Sequence, residues 1–239
     1  LISGGSDGRI ILWDRQTGRE ITRVEGVGHL ANCVLPLSGG RAVSFGVWYS
    51  GEQPDPAADD YAIRLWQLPA SVRREGDSSA FQLLDTLGGH SDAVQAIAVS
   101  RDGKNLYSAG AGEILVRDVS TFEVFRTLKT DRLRTRVLAA GAKGFLFTGG
   151  IDGVLERWEP VSREKYDSVH VGKGWLEYLH PLGDDDTLVV KCLDSPGYIV
   201  WDAKNHRVLR RFEESGQAFT ISADGKWLAA GEGQSGTVK

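Results

Sequence analysis

The chain has 239 residues, of which 41% are hydrophobic and 25% charged, and its formal net charge is −4. This composition is typical of a globular protein with a substantial core, and the acidic balance disfavours nucleic acid or an anionic membrane as the main partner. Two cysteines, Cys33 and Cys192, are too few for a disulfide scaffold, and no apolar run reaches the ~20 residues of a membrane span, so we expect free buried thiols and a cytoplasmic location.

The first predicted elements are two short strands joined by a tight turn. Residues 1–4 are followed by a Gly/Ser/Asp turn, and the second strand ends at Trp13-Asp14. Similar strands end at Trp66-Gln67, Arg117-Asp118, Trp158-Glu159 and Trp201-Asp202. The last three lie ~40–45 residues apart, which indicates a repeating unit, and insertions lengthen the earlier spacings.

The third unit shows the content of one repeat. Alternating apolar residues predict strands at Ala93–Val99, Asn105–Gly110, Glu113–Asp118 and Phe122–Leu128, separated by turns rich in Gly, Asp and Ser,. The 30 glycines of the chain suit many tight turns,. No segment has a long helical period, so we predict an all-β protein of up-and-down antiparallel sheets.

Together with the Gly28-His29 and Gly89-His90 pairs, these repeats resemble the WD40-repeat family over essentially the whole chain,. The resemblance implies a β-propeller of four-stranded blades. We expect about six blades, four complete and two partial, at residues 1–26 (partial), 27–88, 89–129, 130–172, 173–213 and 214–239 (partial). Both chain ends supply a second strand, which favours a segment of a seven- or eight-bladed propeller completed by further sequence or another chain. The alternative is a six-bladed ring that shares one blade between the two ends.

The resemblance also implies a polar network of His, Ser or Thr, Asp and Trp inside each blade. The expected members are Ser3, Asp7 and Trp13; His29, Ser44, Asp60 and Trp66; His90 and Ser108; Thr148, Asp152 and Trp158; and Trp201. The third unit has Ala111 and Arg117 at the Asp and Trp positions, and the fifth has Ser195 at the Asp position. Since an incomplete buried network is a liability, we predict that these two blades are the less rigid ones.

Ser, His and Asp side chains also suggest a catalytic triad, but a triad needs one exposed nucleophile, whereas this set recurs on packed strands. The stretch Gly183–Thr187 is predicted to be a solvated hairpin turn rather than a cation site. Residues Gly231–Gly236 fit a dinucleotide-binding spacing without a following helix. We therefore predict no catalytic residue, no metal ligand and no cofactor, and we do not expect an enzyme.

Features that a bare propeller does not need mark the candidate partner-binding residues. Trp48 and Tyr49 lie in the insertion Val47–Asp60, and such aromatic residues anchor interfaces. The alternating Arg132, Arg134 and Arg136 offer a basic spot for an acidic peptide or a phosphate. Trp175 opens the fifth blade, either as an anchor on the rim or as packing between blades. The insertion Pro69–Ala80 is interpreted as a passive polar loop.

The favoured hypothesis is a non-enzymatic scaffold that resembles WD40 domains and binds proteins or peptides through these residues. The alternative is a regulatory or sensor propeller within a larger protein, which has an enzymatic domain elsewhere. A propeller enzyme that uses a central channel is the third hypothesis, and no convergent polar residues support it.

Overall fold

The computed structural model of the chain describes residues 1–5, 7–25, 33–45, 62–69, 81–130, 135–160, 164–183, 185–195, 197–213, 218–221 and 228–231. Within these ranges it contains 21 β-strands and one short 3-10 turn at Ser38–Gly40, and no α-helix. No helix in the described part is long and apolar enough to cross a membrane.

Consecutive strands pair in antiparallel sheets. The first sheet contains β1 (Ile2–Gly4), β2 (Ile10–Trp13) and β3 (Glu20–Val24). The second contains β4 (Cys33–Leu37), β5 (Arg41–Phe45), β6 (Ile63–Gln67) and β7 (Gln82–Leu87). The third contains β8 (Ala96–Val99), β9 (Asn105–Gly110), β10 (Glu113–Asp118) and β11 (Val124–Lys129).

The fourth sheet contains β12 (Thr135–Ala140), β13 (Leu146–Gly150), β14 (Val154–Glu159) and β15 (Glu164–His170). The fifth contains β16 (Leu176–Leu182), β17 (Thr187–Cys192), β18 (Tyr198–Asp202) and β19 (Arg207–Phe212). The strands β20 (Ala218–Ile221) and β21 (Leu228–Gly231) form a final pair. The predicted all-β fold, built from four-stranded antiparallel sheets like propeller blades, is confirmed.

The third sheet follows the prediction closely. Its two middle strands have the predicted bounds, whereas the first begins three residues later than predicted. The last strand begins at Val124 because Phe122 belongs to the preceding turn, where it has a φ of 59° and donates its N–H to the Asp118 carbonyl at 2.7 Å.

A carboxylate fixes the turn before the last strand of several sheets. Asp14 Oδ1 accepts the backbone N–H groups of Gln16 and Thr17 at 2.7 and 2.9 Å. Asp118 and Asp202 accept N–H groups from the equivalent turns of their own sheets. Side-chain and backbone hydrogen bonds from Asn205 lower the pKa of Asp202 to about 2. The Asp that follows the repeated Trp or Arg position is therefore a turn cap.

The chain divides into two compact units, residues 1–99 with 103–133 and residues 100–102 with 134–239. In each unit the apolar core lies between neighbouring sheets. Ile97, Leu106 and Phe45 belong to one cluster of the first unit, and Phe147 and Leu176 to the cluster of the second.

Each sheet with three or more strands has a β-bulge in its last strand. The pairing of the last two strands shifts by one residue next to the Trp or Arg position. The extra residue is apolar or aromatic in every case: Ile21, Leu84, Phe125, Tyr166 and Leu209. The last four are 44%, 50%, 66% and 48% exposed, respectively. These last strands are also edge strands of their sheets.

Candidate partner-binding site

In three of the sheets, the repeated Trp side chain donates a hydrogen bond to a hydroxyl on a neighbouring strand. Trp13 Nε1 bonds Ser3 Oγ at 2.8 Å, Trp66 Nε1 bonds Ser44 Oγ at 2.8 Å, and Trp158 Nε1 bonds Thr148 Oγ1 at 3.2 Å. The register explains the repetition, because each hydroxyl lies two residues beyond the partner of the Trp. Ser44 and Thr148 are buried, so their hydroxyls serve packing rather than chemistry.

The third sheet brings three polar side chains together in the order of a hydrolase triad. His90 Nε2 lies 2.8 Å from Ser108 Oγ, and His90 Nδ1 lies 3.6 Å from Glu113 Oε1. Ser108 is fully buried, and a substrate cannot reach it, so the set lacks the exposed nucleophile that catalysis requires. Burial lowers the pKa of His90 to about 4, an effect that nearby Glu113 partly opposes. Arg117 replaces the Trp here and donates to the carbonyls of Gly88 and Phe122.

In the fifth sheet, Trp201 occupies the repeated Trp position, but the position that holds Ser or Thr in the other sheets has no hydroxyl. Val190 occupies the position equivalent to Thr148, since it lies two residues beyond Leu188, the partner of Trp201. Among the described residues, Trp201 Nε1 is buried and has no acceptor. Ser195 Oγ accepts the backbone N–H of Lys173 at 3.4 Å.

Two further members of the predicted network, Asp7 and Asp152, bond backbone groups of their own turns. Asp7 Oδ1 accepts the backbone N–H of Arg9 at 3.1 Å, and Asp152 Oδ1 accepts that of Val154 at 3.3 Å. Both carboxylates thus support their own hairpin turns. His29 and Asp60 lie outside the described residues.

Of the predicted partner-binding residues, Arg136 and Trp175 are described, and the structure brings them together. The Arg136 guanidinium carbon lies over the Trp175 ring, 4.6 Å from its centroid, and Trp175 is 37% exposed. This is a cation–π contact between two neighbouring sheets of the second unit. The contact packs Trp175 against a neighbouring sheet, whereas its role as an anchor for a partner stays a prediction. Trp48, Tyr49, Arg132 and Arg134 lie outside the described residues.

A cavity of about 410 Å³ opens beside this pair. Its polar and aromatic lining consists of Arg136, Glu177, Tyr178, Lys191 and Tyr198. These side chains come from β12 and from three strands of the fifth sheet, β16, β17 and β18. We call this cavity and the adjoining Arg136–Trp175 pair the β12–β16 site.

Two bulges aim side chains at the β12–β16 site. The pairing of β12 with β13 shifts at Arg136, and the pairing of β16 with β17 shifts at Glu177. A bulged residue leaves the regular alternation and points its side chain in a new direction. The two bulges occupy equivalent positions, the second residues of β12 and β16, so the two sheets present opposite charges to one cavity.

The charges that line the cavity are not balanced. Lys191 Nζ lies 3.0 Å from Glu177 Oε2 and 5.5 Å from the centroid of the Tyr198 ring. Among the described residues, no carboxylate pairs with Arg136, which leaves one positive charge in excess. Burial raises the pKa of Tyr178 to about 12, with a smaller contribution from Tyr198, so the Tyr178 hydroxyl remains a neutral donor at pH 7,.

Sequence reasoning missed Glu177, Tyr178, Lys191 and Tyr198. Glu177 and Tyr178 lie two and three residues after Trp175, and their place in the same short segment was the available signal. Nothing local marks Lys191 or Tyr198, because they reach the cavity only through the pairing of β17 and β18 with β16.

Within the acidic stretch predicted to be a solvated turn, residues 183–187, Asp185 differs from the prediction. Asp185 is 1% exposed, with a φ of 64°, and its carboxylate accepts the backbone N–H groups of Ala142 and Lys143, the latter at 2.7 Å. The prediction was wrong for this residue because its partners lie in the turn between β12 and β13, far away in the sequence. No group of three or more His, Cys, Asp or Glu side chains in the described ranges is placed to hold a metal ion.

The two cysteines are free thiols. Burial raises the pKa of Cys33 and of Cys192 to about 11, so both are protonated at pH 7. Since the thiolate is the reactive form, neither cysteine has the character of a nucleophile.

Comparison with known proteins agrees with the repeat pattern. Residues 81–118 match the family model described as WD domain, G-beta repeat. The chain is also 24% identical over 267 aligned positions to a Chlamydomonas reinhardtii protein named ribosome biogenesis protein WDR12 homolog. This alignment covers 96% of the chain and 54% of that relative, so the chain spans about half of the relative's length. Residues 81–118 are thus a WD40 repeat, and the resemblance of the chain to the WD40-repeat family is confirmed.

Proposed function

We propose that the protein is a non-enzymatic scaffold that binds a protein or peptide partner at the β12–β16 site. The observation that carries this proposal is the partly exposed Trp175 in contact with Arg136, which itself lines the cavity. Trp and Arg are enriched among the residues that dominate interface energies, particularly where they adjoin a pocket. The negative net charge supports a protein rather than a nucleic acid as the partner,.

The absence of enzymatic activity is part of the proposal. It is supported by the hydroxyls paired with Trp or His, which belong to packed strands. Among the described residues there is one triad-like set, and its Ser108 is fully buried. The WD40 repeat adds support, because domains of this family commonly present surfaces to other proteins. The cytoplasmic location and the total number of blades remain predictions.

Affinity capture tests the proposed function. The whole chain, immobilised, is incubated with lysate from its own cells, and recovered proteins are compared with those of the Trp175→Ala variant. Since truncation of a central interface residue costs about 2 kcal/mol or more, we expect at least one specific partner to be lost with Trp175→Ala. Phe125→Ala is the matched control, because Phe125 is 50% exposed on an outer strand. Equal recovery by all three proteins would contradict the assignment of the site.

A second candidate function rests on the relative's name. Similarity to a protein named for ribosome biogenesis supports a role of this scaffold in assembling ribosomal precursors. Sedimentation of a cell extract on a sucrose gradient tests it. The protein is expected in fractions with precursor particles, and its confinement to the top of the gradient would contradict this role.

A further inference from the structure

The β12–β16 site has the size that a specific ligand group needs. Its volume of about 410 Å³ lies within the roughly 300–1,000 Å³ of typical ligand sites,. Apolar atoms of Val137 and Leu176 contribute to the lining, so the site has both apolar and polar walls. A single side chain and its flanking backbone can therefore enter.

The charge of the lining residues indicates which chemical group of a ligand the cavity would bind. Glu177 and Lys191 pair at 3.0 Å and largely neutralise one another, whereas Arg136 has an aromatic face beneath it. A guanidinium that lies over a ring keeps N–H groups at its edge for another partner. The natural partner is a carboxylate, which accepts two parallel hydrogen bonds from a guanidinium.

The same balance disfavours a more highly charged group. A phosphate monoester carries about −1.5 to −2 charges at pH 7, which exceeds the one cation that lacks a carboxylate partner among the described residues of the lining. It would also lie near Glu177, which is 35% exposed on the lining. One carboxylate matches one guanidinium without leaving excess charge in the cavity.

We propose that the β12–β16 site binds the carboxylate of an Asp or Glu side chain in an acidic peptide segment of the partner, with Arg136 as the principal donor. This inference rests on the proposed function and specifies the class of partner. The carboxylate accepts hydrogen bonds from Arg136, which lines the cavity, and the apolar stem of the same side chain packs on Trp175.

Selection from a library of random peptides displayed on phage tests the proposal with the whole chain as bait. The enriched peptides are then synthesised with their acidic residue, with the neutral amide in its place, and with phosphoserine at that position. Fluorescence anisotropy measures Kd for wild type, Arg136→Gln and the control Lys204→Gln. Lys204 is an exposed residue in the turn after β18, at the opposite end of that strand from Tyr198, and its loss removes the same charge.

We expect enriched peptides to share an acidic position. Replacing it with the amide should weaken binding to wild type and to Lys204→Gln about tenfold or more, the usual effect of losing a charge-assisted hydrogen bond. On Arg136→Gln the same replacement should change Kd less than about twofold, because the partner of the carboxylate is already absent. Circular dichroism establishes that the variants are folded.

Each contrary result has a distinct meaning. An equal effect of the amide on wild type and on Arg136→Gln overturns the inference and leaves the proposed function standing. Tighter binding of the phosphoserine peptide than of the acidic one overturns the choice of a carboxylate. A phage selection that enriches no peptide overturns the inference. When affinity capture also recovers no partner, the proposed function is overturned as well.

Discussion

Replacing Thr148 with valine tests the structural role of the Trp-to-hydroxyl pairs. Valine keeps the branched shape but removes Oγ1, which accepts from Trp158 Nε1 at 3.2 Å and donates to Glu156 Oε2 at 3.2 Å. Thr148, Trp158 and Glu156 are all buried, so water cannot replace the lost partner easily. The substitution therefore leaves a buried N–H group without an acceptor and a buried carboxylate with one donor fewer.

The expected decrease in the free energy of unfolding follows from the loss of these two hydrogen bonds. An orphaned buried polar group costs about 1–3 kcal/mol, and a hydrogen bond to a charged group contributes about 1.5–3 kcal/mol. The two effects share one hydroxyl and are not additive, so we expect Thr148→Val to lower the free energy of unfolding by about 3 kcal/mol. Lys165 Nζ, 3.4 Å from Glu156 Oε1, continues to compensate the carboxylate, which keeps the cost from rising further.

Urea unfolding followed by circular dichroism measures the change, and Thr86→Val on an exposed strand position is the matched control. The fifth sheet offers the reciprocal experiment. Val190→Thr places a hydroxyl opposite the orphaned Trp201 indole and is expected to stabilise the protein by about 0.5–1 kcal/mol. The reasoning is refuted when Thr148→Val costs no more than Thr86→Val, or when Val190→Thr destabilises as much as Thr148→Val does.

Two further predictions concern pH and local stability. The pKa of His90 in the folded state, about 4, lies below its unfolded value of 6.5. The contribution of neutral His90 to the stability of the fold is therefore complete above pH 6.5 and is lost as the pH falls toward 4. We expect the free energy of unfolding to drop by about 1–2 kcal/mol between pH 7 and 5, with a shallower drop in His90→Gln, and parallel pH profiles would contradict the assignment. Hydrogen exchange should show faster opening of the third and fifth sheets than of the second, because Arg117 and Val190 interrupt their networks, and equal protection would refute this.

The sequence alone was sufficient to predict the structural features that recur from sheet to sheet. Strand alternation and turn residues predicted the antiparallel sheets, and the resemblance to WD40 repeats placed Ser44 and Trp66 in one expected network. In the structure a hydrogen bond joins these two residues. Such pairs are predictable because hairpin register fixes which residues lie opposite one another. Arg136 and Trp175 were each selected as an unexplained surface residue, although nothing in their own segments indicated that they would meet.

The remaining features depend on departures from regular pairing. A bulge has no reliable local signature, so alternation alone could not show that Arg136 and Glu177 are aimed at one cavity. Asp185 likewise resembles a residue of an ordinary solvated turn. Its burial depends on amide groups of Ala142 and Lys143, more than 40 residues earlier in the chain. Contacts of this kind arise only when sheets pack together.

The bulges in the outermost strands have a consequence for solubility. An edge strand with exposed apolar side chains is ordinarily a template on which a second molecule adds its own strand. Here the residues most suited to such association, Leu84, Phe125, Tyr166 and Leu209, lie where the bulge interrupts the hydrogen-bonding row and bends the strand. A strand from a second molecule could make apolar contacts there, but it would not meet a regular row of backbone hydrogen-bonding groups. The same irregularity, repeated from sheet to sheet, protects the chain against edge-to-edge aggregation.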